Sequence, residues 1–84
     1  MALLIEAVEQ SLTQEVATIL CLEPAALTPG QPLAALGLDS MGLVELLVFI
    51  EKKFQLRLLE TGLQREDFET IHALACRISQ STAA

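Results

Sequence analysis

The centre of the 84-residue chain reads Leu36-Gly37-Leu38-Asp39-Ser40-Met41-Gly42-Leu43-Val44-Glu45-Leu46-Leu47-Val48-Phe49-Ile50. Gly37 permits a sharp turn, and Asp39 is a residue type that caps the first backbone N–H groups of a helix. A strongly apolar run with polar residues at helical spacing follows. The stretch therefore predicts a helix from about Ser40 to Phe54 with one serine at its start.

The predicted helix has two different faces. At 100° per residue, one arc is expected to face a core and carries Leu43, Leu46, Leu47, Ile50 and Phe54. The opposite arc carries Met41, Val44, Glu45, Val48, Glu51 and Lys52. Apolar side chains that recur along an outer face favour a docking surface, although the long loop or a short helix could also cover them.

The chain on either side of this stretch has the periodicity of further helices. Apolar residues from Leu4 to Leu20 recur at steps of three and four, which predicts a first helix. Ser11 and Gln14 also fit a capping box, so this helix could begin at Ser11 instead. Thr70 is a plausible N-cap for a last helix, whose end at residues 79–84 is expected to fray. The core face of that helix should carry Ile71, Leu74, Ala75 and Ile78.

Two connecting segments separate these helices. Residues 23–32 form a loop, because Pro24, Pro29, Gly30 and Pro32 interrupt the helical period. Four leucines around this loop are expected to tuck beneath the helices: Leu22, Leu27, Leu33 and Leu36. Residues 64–68 are expected to form one short helical turn. Because aromatic residues make up only 4% of the chain, its aliphatic core favours packed helices over a sheet.

Charge is distributed unevenly along the chain. The net charge is −6, yet residues 1–51 contain seven acidic residues and no basic one. Residues 52–84 contain five basic and four acidic residues. An acidic surface of this kind repels nucleic acid and attracts basic patches on other proteins.

The cysteines and the histidine give no sign of a metal or redox centre. Cys21 and Cys76 lie far apart without metal-ligand spacing, so both are interpreted as buried apolar thiols. His72 lies off the apolar face of the last helix and is interpreted as an ordinary surface histidine. The apolar run at residues 1–5 is too short for a signal peptide, and no run reaches membrane-span length. These features predict a soluble, cytoplasmic protein without a metal.

Ser40 is the candidate functional residue of the chain. A helix N-terminus stabilises a negative charge, so a phosphate ester on this hydroxyl would be favoured there. A hydrolase nucleophile needs a base, but His72 is the only histidine, Lys52 is about three turns away along the helix, and Gly-x-Ser-x-Gly is absent. Ser40 is therefore interpreted as an acceptor for chemistry performed by another protein. The alternatives are a simple cap pair with Asp39 and an unmodified helical interaction module.

The residues around Ser40 resemble those of a known family. The segment 36–41, followed by Val44-Glu45-Leu46 and Phe54, is similar to the phosphopantetheine attachment motif of acyl carrier proteins. The resemblance runs from the first helix, through the leucine-bearing loop, to residues 68–71 at the entry of the last helix. Leu-Gly-x-Asp-Ser in combination with this helix, this charge and this length makes the resemblance specific.

The resemblance implies an all-α fold, a four-helix bundle of the acyl-carrier type with a long first loop and a short third helix. Residues 1–84 would form a single carrier domain. It further implies that a phosphopantetheinyl transferase uses coenzyme A and magnesium to attach 4′-phosphopantetheine to Oγ of Ser40. The arm would carry acyl or aminoacyl groups as thioesters, and the chain itself would not be an enzyme.

The resemblance also implies where partners bind. Enzymes that load or use such carriers, namely acyl- or aminoacyl-loading ligases or transferases and downstream biosynthetic enzymes, present basic and apolar patches to the second helix. The matching positions in this chain are Asp39, Met41, Val44, Glu45, Val48 and Glu51. The chain is expected to act as a monomer.

Some residues depart from the pattern of fatty-acid-synthesis carriers. Gly42 stands where those carriers commonly have an acidic residue, and their later acidic run is here Glu51-Lys52-Lys53. Phe49 is bulkier than the small residue expected on that flank. Because the changes remove negative charge that fatty-acid enzymes would contact, a discrete carrier in a specialised pathway is expected, such as polyketide-type or aminoacyl-thioester biosynthesis.

Overall fold

A computed structural model describes residues 4–58, 62 and 64–82 of the chain. These residues form three α-helices: α1 at Ile5–Leu20, α2 at Ser40–Phe54 and α3 at Ile71–Thr82. Within the described residues there is no β-strand, only an isolated bridge between Pro32 and Thr70. The predicted all-α class is confirmed. Where a short third helix was expected, the structure has a 3-10 turn at Arg65–Phe68, so the described residues contain three α-helices and not four.

The core lies where the apolar faces of the three α-helices meet. Eight of its side chains are almost completely buried: Val8, Leu12 and Val16 of α1, Leu46 and Ile50 of α2, and Ile71, Leu74 and Ile78 of α3. Each buried Leu or Ile contributes roughly 1.5–3 kcal/mol through the removal of apolar surface from water. The predicted core faces of α2 and α3 are confirmed in outline. Leu43, Leu47 and Phe54 were also predicted to face the core, but they are only half-buried.

Helix α1 begins one residue later than the periodicity predicted. Leu4 is its N-cap and is 77% exposed, and Ile5 is also exposed, so neither belongs to the core. Ser11 lies within the helix, and the alternative start at that residue is therefore wrong. Residues 1–3 of the apolar N-terminal run lie outside the described residues. The helix ends at Cys21, which adopts a left-handed conformation with a φ of 58°.

The loop between α1 and α2 is attached to the start of α3. The N–H of Leu33 donates to the carbonyl oxygen of Glu69 at 2.8 Å, and the N–H of His72 donates to that of Pro29 at 2.9 Å. Leu27 and Leu33 are buried as predicted. These contacts hold the end of the loop, and hence the residues that precede α2, against the start of α3.

The predicted environments of one leucine and of both cysteines were wrong. Leu22 is 41% exposed and does not tuck beneath the helices. Cys21 is exposed and Cys76 is only partly buried, so neither is the fully buried thiol that was predicted. Helix α3 continues through Thr82. Residues 83–84 lie outside the described residues, and fraying of residues 79–84 stays a prediction. Among those residues no helix combines the length and apolarity needed to cross a membrane.

Candidate functional site

Ser40 is the first residue of α2, and two residues that precede the helix determine its position. Gly37 ends the 3-10 turn at Ala34–Leu36 with a φ of 98°, a left-handed conformation that glycine adopts without strain. Asp39 is extended, and its Oδ1 accepts a hydrogen bond of 2.8 Å from the N–H of Gly42. The predicted cap is confirmed. Its effect is to begin the helix at Ser40, whose side chain is exposed.

The helix start gives the Ser40 hydroxyl a favourable setting for a phosphate ester. The first backbone N–H groups of a helix point outward, and the helix dipole places partial positive charge at this end. The carboxylate of Asp39 satisfies one of those N–H groups, that of Gly42. A phosphate on the exposed oxygen of Ser40 would lie beside the same helix end. The described residues therefore fit a phosphate-linked group at this position.

Gly42 lies on the inner side of the helix start. A Cβ placed on this residue would be 2.7 Å from Cδ1 of Leu38 and 3.3 Å from Cγ2 of Ile19. Side chains at position 42 would thus press against Leu38, which belongs to the segment that leads into Ser40. The interpretation of Gly42 as a lost docking charge does not suit this geometry, because a side chain here would point towards α1.

A cleft of about 690 Å³ opens beside Ser40. It lies between the end of the first loop, the start of α2 and the segment that precedes α3. Its walls include Leu33, Leu38, Leu43 and Phe68, and its polar residues include Ser40, Arg65, Glu69 and Thr70. A group attached to Ser40 therefore has an open, partly apolar space next to its point of attachment.

The outer face of α2 carries apolar side chains in contact with solvent. Met41 is 70%, Val44 54% and Val48 43% exposed. The alternative in which the long loop or a short helix covers this stripe is therefore wrong. The acidic residues predicted to act with it, Asp39, Glu45 and Glu51, are exposed as well. All six residues predicted to bind partners thus share an accessible surface; partner binding by them stays a prediction.

Glu51, one of these acidic residues, forms an ion pair on the surface. Its carboxylate lies 3.7 Å from the guanidinium of Arg57, and both side chains are more than half exposed. Exposed pairs of this kind contribute little to stability because water and salt screen them. Glu51 therefore remains able to exchange Arg57 for a basic residue of a partner.

His72 has a more specific environment than the sequence suggested. Its Nδ1 lies 2.5 Å from Oε2 of Glu9 on α1, and its Nε2 lies 3.5 Å from Sγ of Cys76. The predicted place of His72 on the surface is confirmed, because 58% of its side chain is exposed, but its contacts with Glu9 and Cys76 were not predicted. The spacing of four residues between His72 and Cys76 on one helix was visible in the sequence, whereas the approach of Glu9 was not.

In the described part of the chain, no group of three or more His, Cys, Asp or Glu residues could hold a metal ion.

The fold and the helix-start serine define a class of protein: small all-helical domains that expose a hydroxyl for a phosphate-linked group. The family model described as phosphopantetheine attachment site matches residues 10–78, so the chain belongs to this family. Among curated proteins and solved structures no match to the chain was found. Members of the family bind 4′-phosphopantetheine covalently on a serine, and this group is the cofactor of the chain. Its general role is that of a phosphopantetheine-bearing carrier.

Proposed function

We propose that Oγ of Ser40 is the attachment point of 4′-phosphopantetheine in a single carrier domain spanning residues 1–84. The observation that carries the proposal is the position of Ser40 as the exposed first residue of α2. The matched region, residues 10–78, contains one other serine, Ser11. That residue is half-buried within α1 and lacks the helix-start environment that favours a phosphate.

The residues around Ser40 have separate roles in this proposal. Asp39 caps the helix start and so holds the backbone of Ser40 where Oγ is accessible to a phosphopantetheinyl transferase that uses coenzyme A and magnesium. The cleft beside Ser40 leaves room for the attached group. When bound, the group supplies a terminal thiol that holds acyl or aminoacyl units as thioesters. The chain itself catalyses no reaction and delivers its cargo as a flexibly tethered reactant, whose effective concentration at a partner is high.

The partner surface in this proposal is the outer face of α2. Its exposed apolar residues, Met41, Val44 and Val48, would contact an apolar patch on the partner. Around them Asp39, Glu45 and Glu51 would meet basic residues and so orient the approaching enzyme. The partners are the transferase, an acyl- or aminoacyl-loading enzyme and downstream biosynthetic enzymes. We further propose that the chain is monomeric and cytoplasmic.

The exposed Lys52 and Lys53 favour a specialised pathway over fatty-acid synthesis. Fatty-acid carriers are commonly acidic at the end of this helix, whereas the two lysines place positive charge there. A basic patch on a partner would be repelled by that charge. Polyketide-type and aminoacyl-thioester pathways are the proposed settings. In the four-helix arrangement typical of carriers, the 3-10 turn at Arg65–Phe68 would take the place of the short third helix.

Intact-mass measurement of the full chain tests the attachment. The chain is incubated with coenzyme A, magnesium and a broad-specificity phosphopantetheinyl transferase, and we expect the mass to increase by one phosphopantetheinyl group. Ser40→Ala should abolish the increase, whereas the matched variant Ser11→Ala should retain it. The proposal fails if the wild-type mass does not change or if Ser40→Ala is modified as readily as the wild type.

A further inference from the structure

A carboxylate, an imidazole and a thiol form a line across the surface between α1 and α3. The Nδ1 atom of His72 lies 2.5 Å from Oε2 of Glu9, and Sγ of Cys76 lies 3.5 Å from Nε2 of the same ring. His72 and Cys76 are four residues apart on α3 and therefore neighbours on one helix face. Glu9 reaches the ring from α1, 63 positions away in the sequence. None of these residues takes part in the function proposed for Ser40.

The positions of Glu9 and Cys76 determine which nitrogen of the His72 ring can accept a proton. An ionised carboxylate only accepts hydrogen bonds, so the Nδ1 atom that faces Glu9 carries a hydrogen. In the neutral ring, Nε2 is then the atom with the free electron pair, and it faces the thiol of Cys76. A base oriented by a carboxylate and placed next to a nucleophile is the arrangement that activates nucleophiles in proteins. His72 Nε2 is thus positioned to take the proton of the Cys76 thiol.

Contacts of the His72 backbone and of its ring position this residue. The backbone N–H of His72 donates to the carbonyl oxygen of Pro29 at 2.9 Å, which attaches the start of α3 to the first loop. Glu9 is largely shielded from solvent, with 16% of its side chain exposed, whereas 58% of the His72 side chain is exposed. The shielded carboxylate holds one side of the imidazole. The other side of the imidazole remains accessible to a small molecule, and Cys76 beside it is only partly buried.

We propose that Cys76 is a modification site for small disulfides, with His72 as its base and Glu9 as a positioning residue. In the reaction Sγ of Cys76 attacks one sulfur of a disulfide R–S–S–R, and the thiol proton passes to His72 Nε2. The S–S bond breaks as the new one forms, and the departing RS⁻ takes up the proton to become RSH. Cys76 is oxidised to a mixed disulfide, and the departing sulfur is reduced to a thiol.

Cys21 provides an internal comparison for this proposal. It is an exposed free thiol at the end of α1, in the same chain. The only histidine of the chain contacts Cys76, so Cys21 has no imidazole beside it. Exposure alone would make Cys21 the faster of the two thiols, whereas base assistance would make Cys76 faster. The two explanations therefore predict opposite orders of reactivity.

The experiment uses full-length chains without the phosphopantetheine arm and with one thiol each, Cys21→Ser and Cys76→Ser. Each is treated with neutral 2-hydroxyethyl disulfide at pH 7, and the rate of mixed-disulfide formation is followed by intact mass. We expect the chain that retains Cys76 to react at least about tenfold faster than the chain that retains Cys21. Equal rates, or a faster Cys21, would overturn the proposal.

Variants of the base and its partner complete the test in the chain that retains Cys76. His72→Asn and, independently, His72→Gln should lower the rate to that of Cys21 or below it, and Glu9→Gln should lower it partly. Glu6→Gln, one turn earlier on α1, is the matched control and should leave the rate unchanged. If the His72 contact were only structural, removing the ring would uncover the sulfur and the rate would rise or stay the same. Circular dichroism of each variant verifies that it is folded.

Discussion

The side chain of Asp39 and the backbone of Gly42 are joined by a hydrogen bond of 2.8 Å, and Ser40 lies between the two residues. This bond closes the first turn of α2 around Ser40. A local cap, rather than a contact from a distant part of the chain, thus determines where the helix begins. The backbone position of Ser40 at the helix start therefore depends on a carboxylate oxygen of Asp39.

Replacement of Asp39 tests the energetic weight of this cap. Asp39→Ala should lower the free energy of unfolding by about 1 kcal/mol, because the N–H of Gly42 loses its acceptor. Asp39→Asn should stay close to the wild type, since asparagine caps helices about as well as aspartate. Urea denaturation followed by circular dichroism measures both values. Equal losses in the two variants would mean that the charge of Asp39, and not the hydrogen bond, supplies its contribution.

The close approach of Gly42 and Leu38 leads to a second prediction. Gly42→Val should destabilise the chain by about 1–3 kcal/mol, because the added carbons would overlap the Leu38 side chain and crowd Ile19. Glu45→Val, at an exposed position of the same helix, should change stability by at most about 0.5 kcal/mol.

A double-mutant cycle tests whether contact with Leu38 causes the loss of stability in Gly42→Val. In the Gly42→Val background, Leu38→Ala should be less destabilising than in the wild type, because removal of the leucine relieves the overlap. Denaturant unfolding of the four chains gives the coupling energy. Strict additivity would show that Leu38 is not the residue that Gly42 accommodates.

The sequence predicted those features that depend on neighbouring residues. The bounds of α2 at Ser40 and Phe54 were predicted because the cap of Asp39 and the apolar period both act within a few residues. The same holds for Thr70, whose Oγ1 accepts a hydrogen bond from the N–H of Ala73 at 3.0 Å. The cofactor was predicted from the family resemblance. The local sequence alone could not distinguish an attachment site at Ser40 from a simple cap pair of Asp39 and Ser40.

Features that depend on how the helices pack could not be predicted. Periodicity identifies the apolar face of α1 but not its rotation against α3, which is what brings Glu9 to His72. The burial of the loop leucines could not be predicted either. Leu27 is buried and Leu22 is exposed, although both are leucines. Their difference follows from where the loop meets α3 through Pro29 and Leu33, and no pattern in the sequence specifies those contacts.

The exposed stripe on α2 should be needed for partner binding and not for folding. Val44→Glu and Val48→Glu should each raise KM for the phosphopantetheinyl transferase about 5- to 30-fold, corresponding to roughly 1–2 kcal/mol of lost contact. Stability should hardly change because both side chains are already exposed. Gln14→Glu adds the same charge on the exposed side of α1 and is the matched control. A KM that is unaffected by both valine variants would place the docking surface elsewhere.

Glu45 should act through long-range charge. Glu45→Gln should slow association with a basic partner at low salt, because one attractive charge on the docking face is lost. The difference from the wild type should shrink as ionic strength rises to about 0.5 M, where screening reduces the steering effect. Stopped-flow association at several salt concentrations measures it, with Glu6→Gln on α1 as control. A difference that is independent of salt would point to a direct hydrogen bond instead of steering.

Gln55 closes α2 in a left-handed conformation, with a φ of 53° and a ψ of 47°. A residue with a Cβ is strained there by about 1–2 kcal/mol, whereas glycine is not. Gln55→Gly should therefore raise the free energy of unfolding, by about 0.5–1 kcal/mol, because greater freedom of the unfolded chain offsets part of the relief. Gln10→Gly, at an exposed position inside α1, should instead lower it by about 1 kcal/mol. Urea titrations of the two variants should give shifts of opposite sign, and a loss of stability in both would mean that the left-handed end of α2 is not maintained in solution.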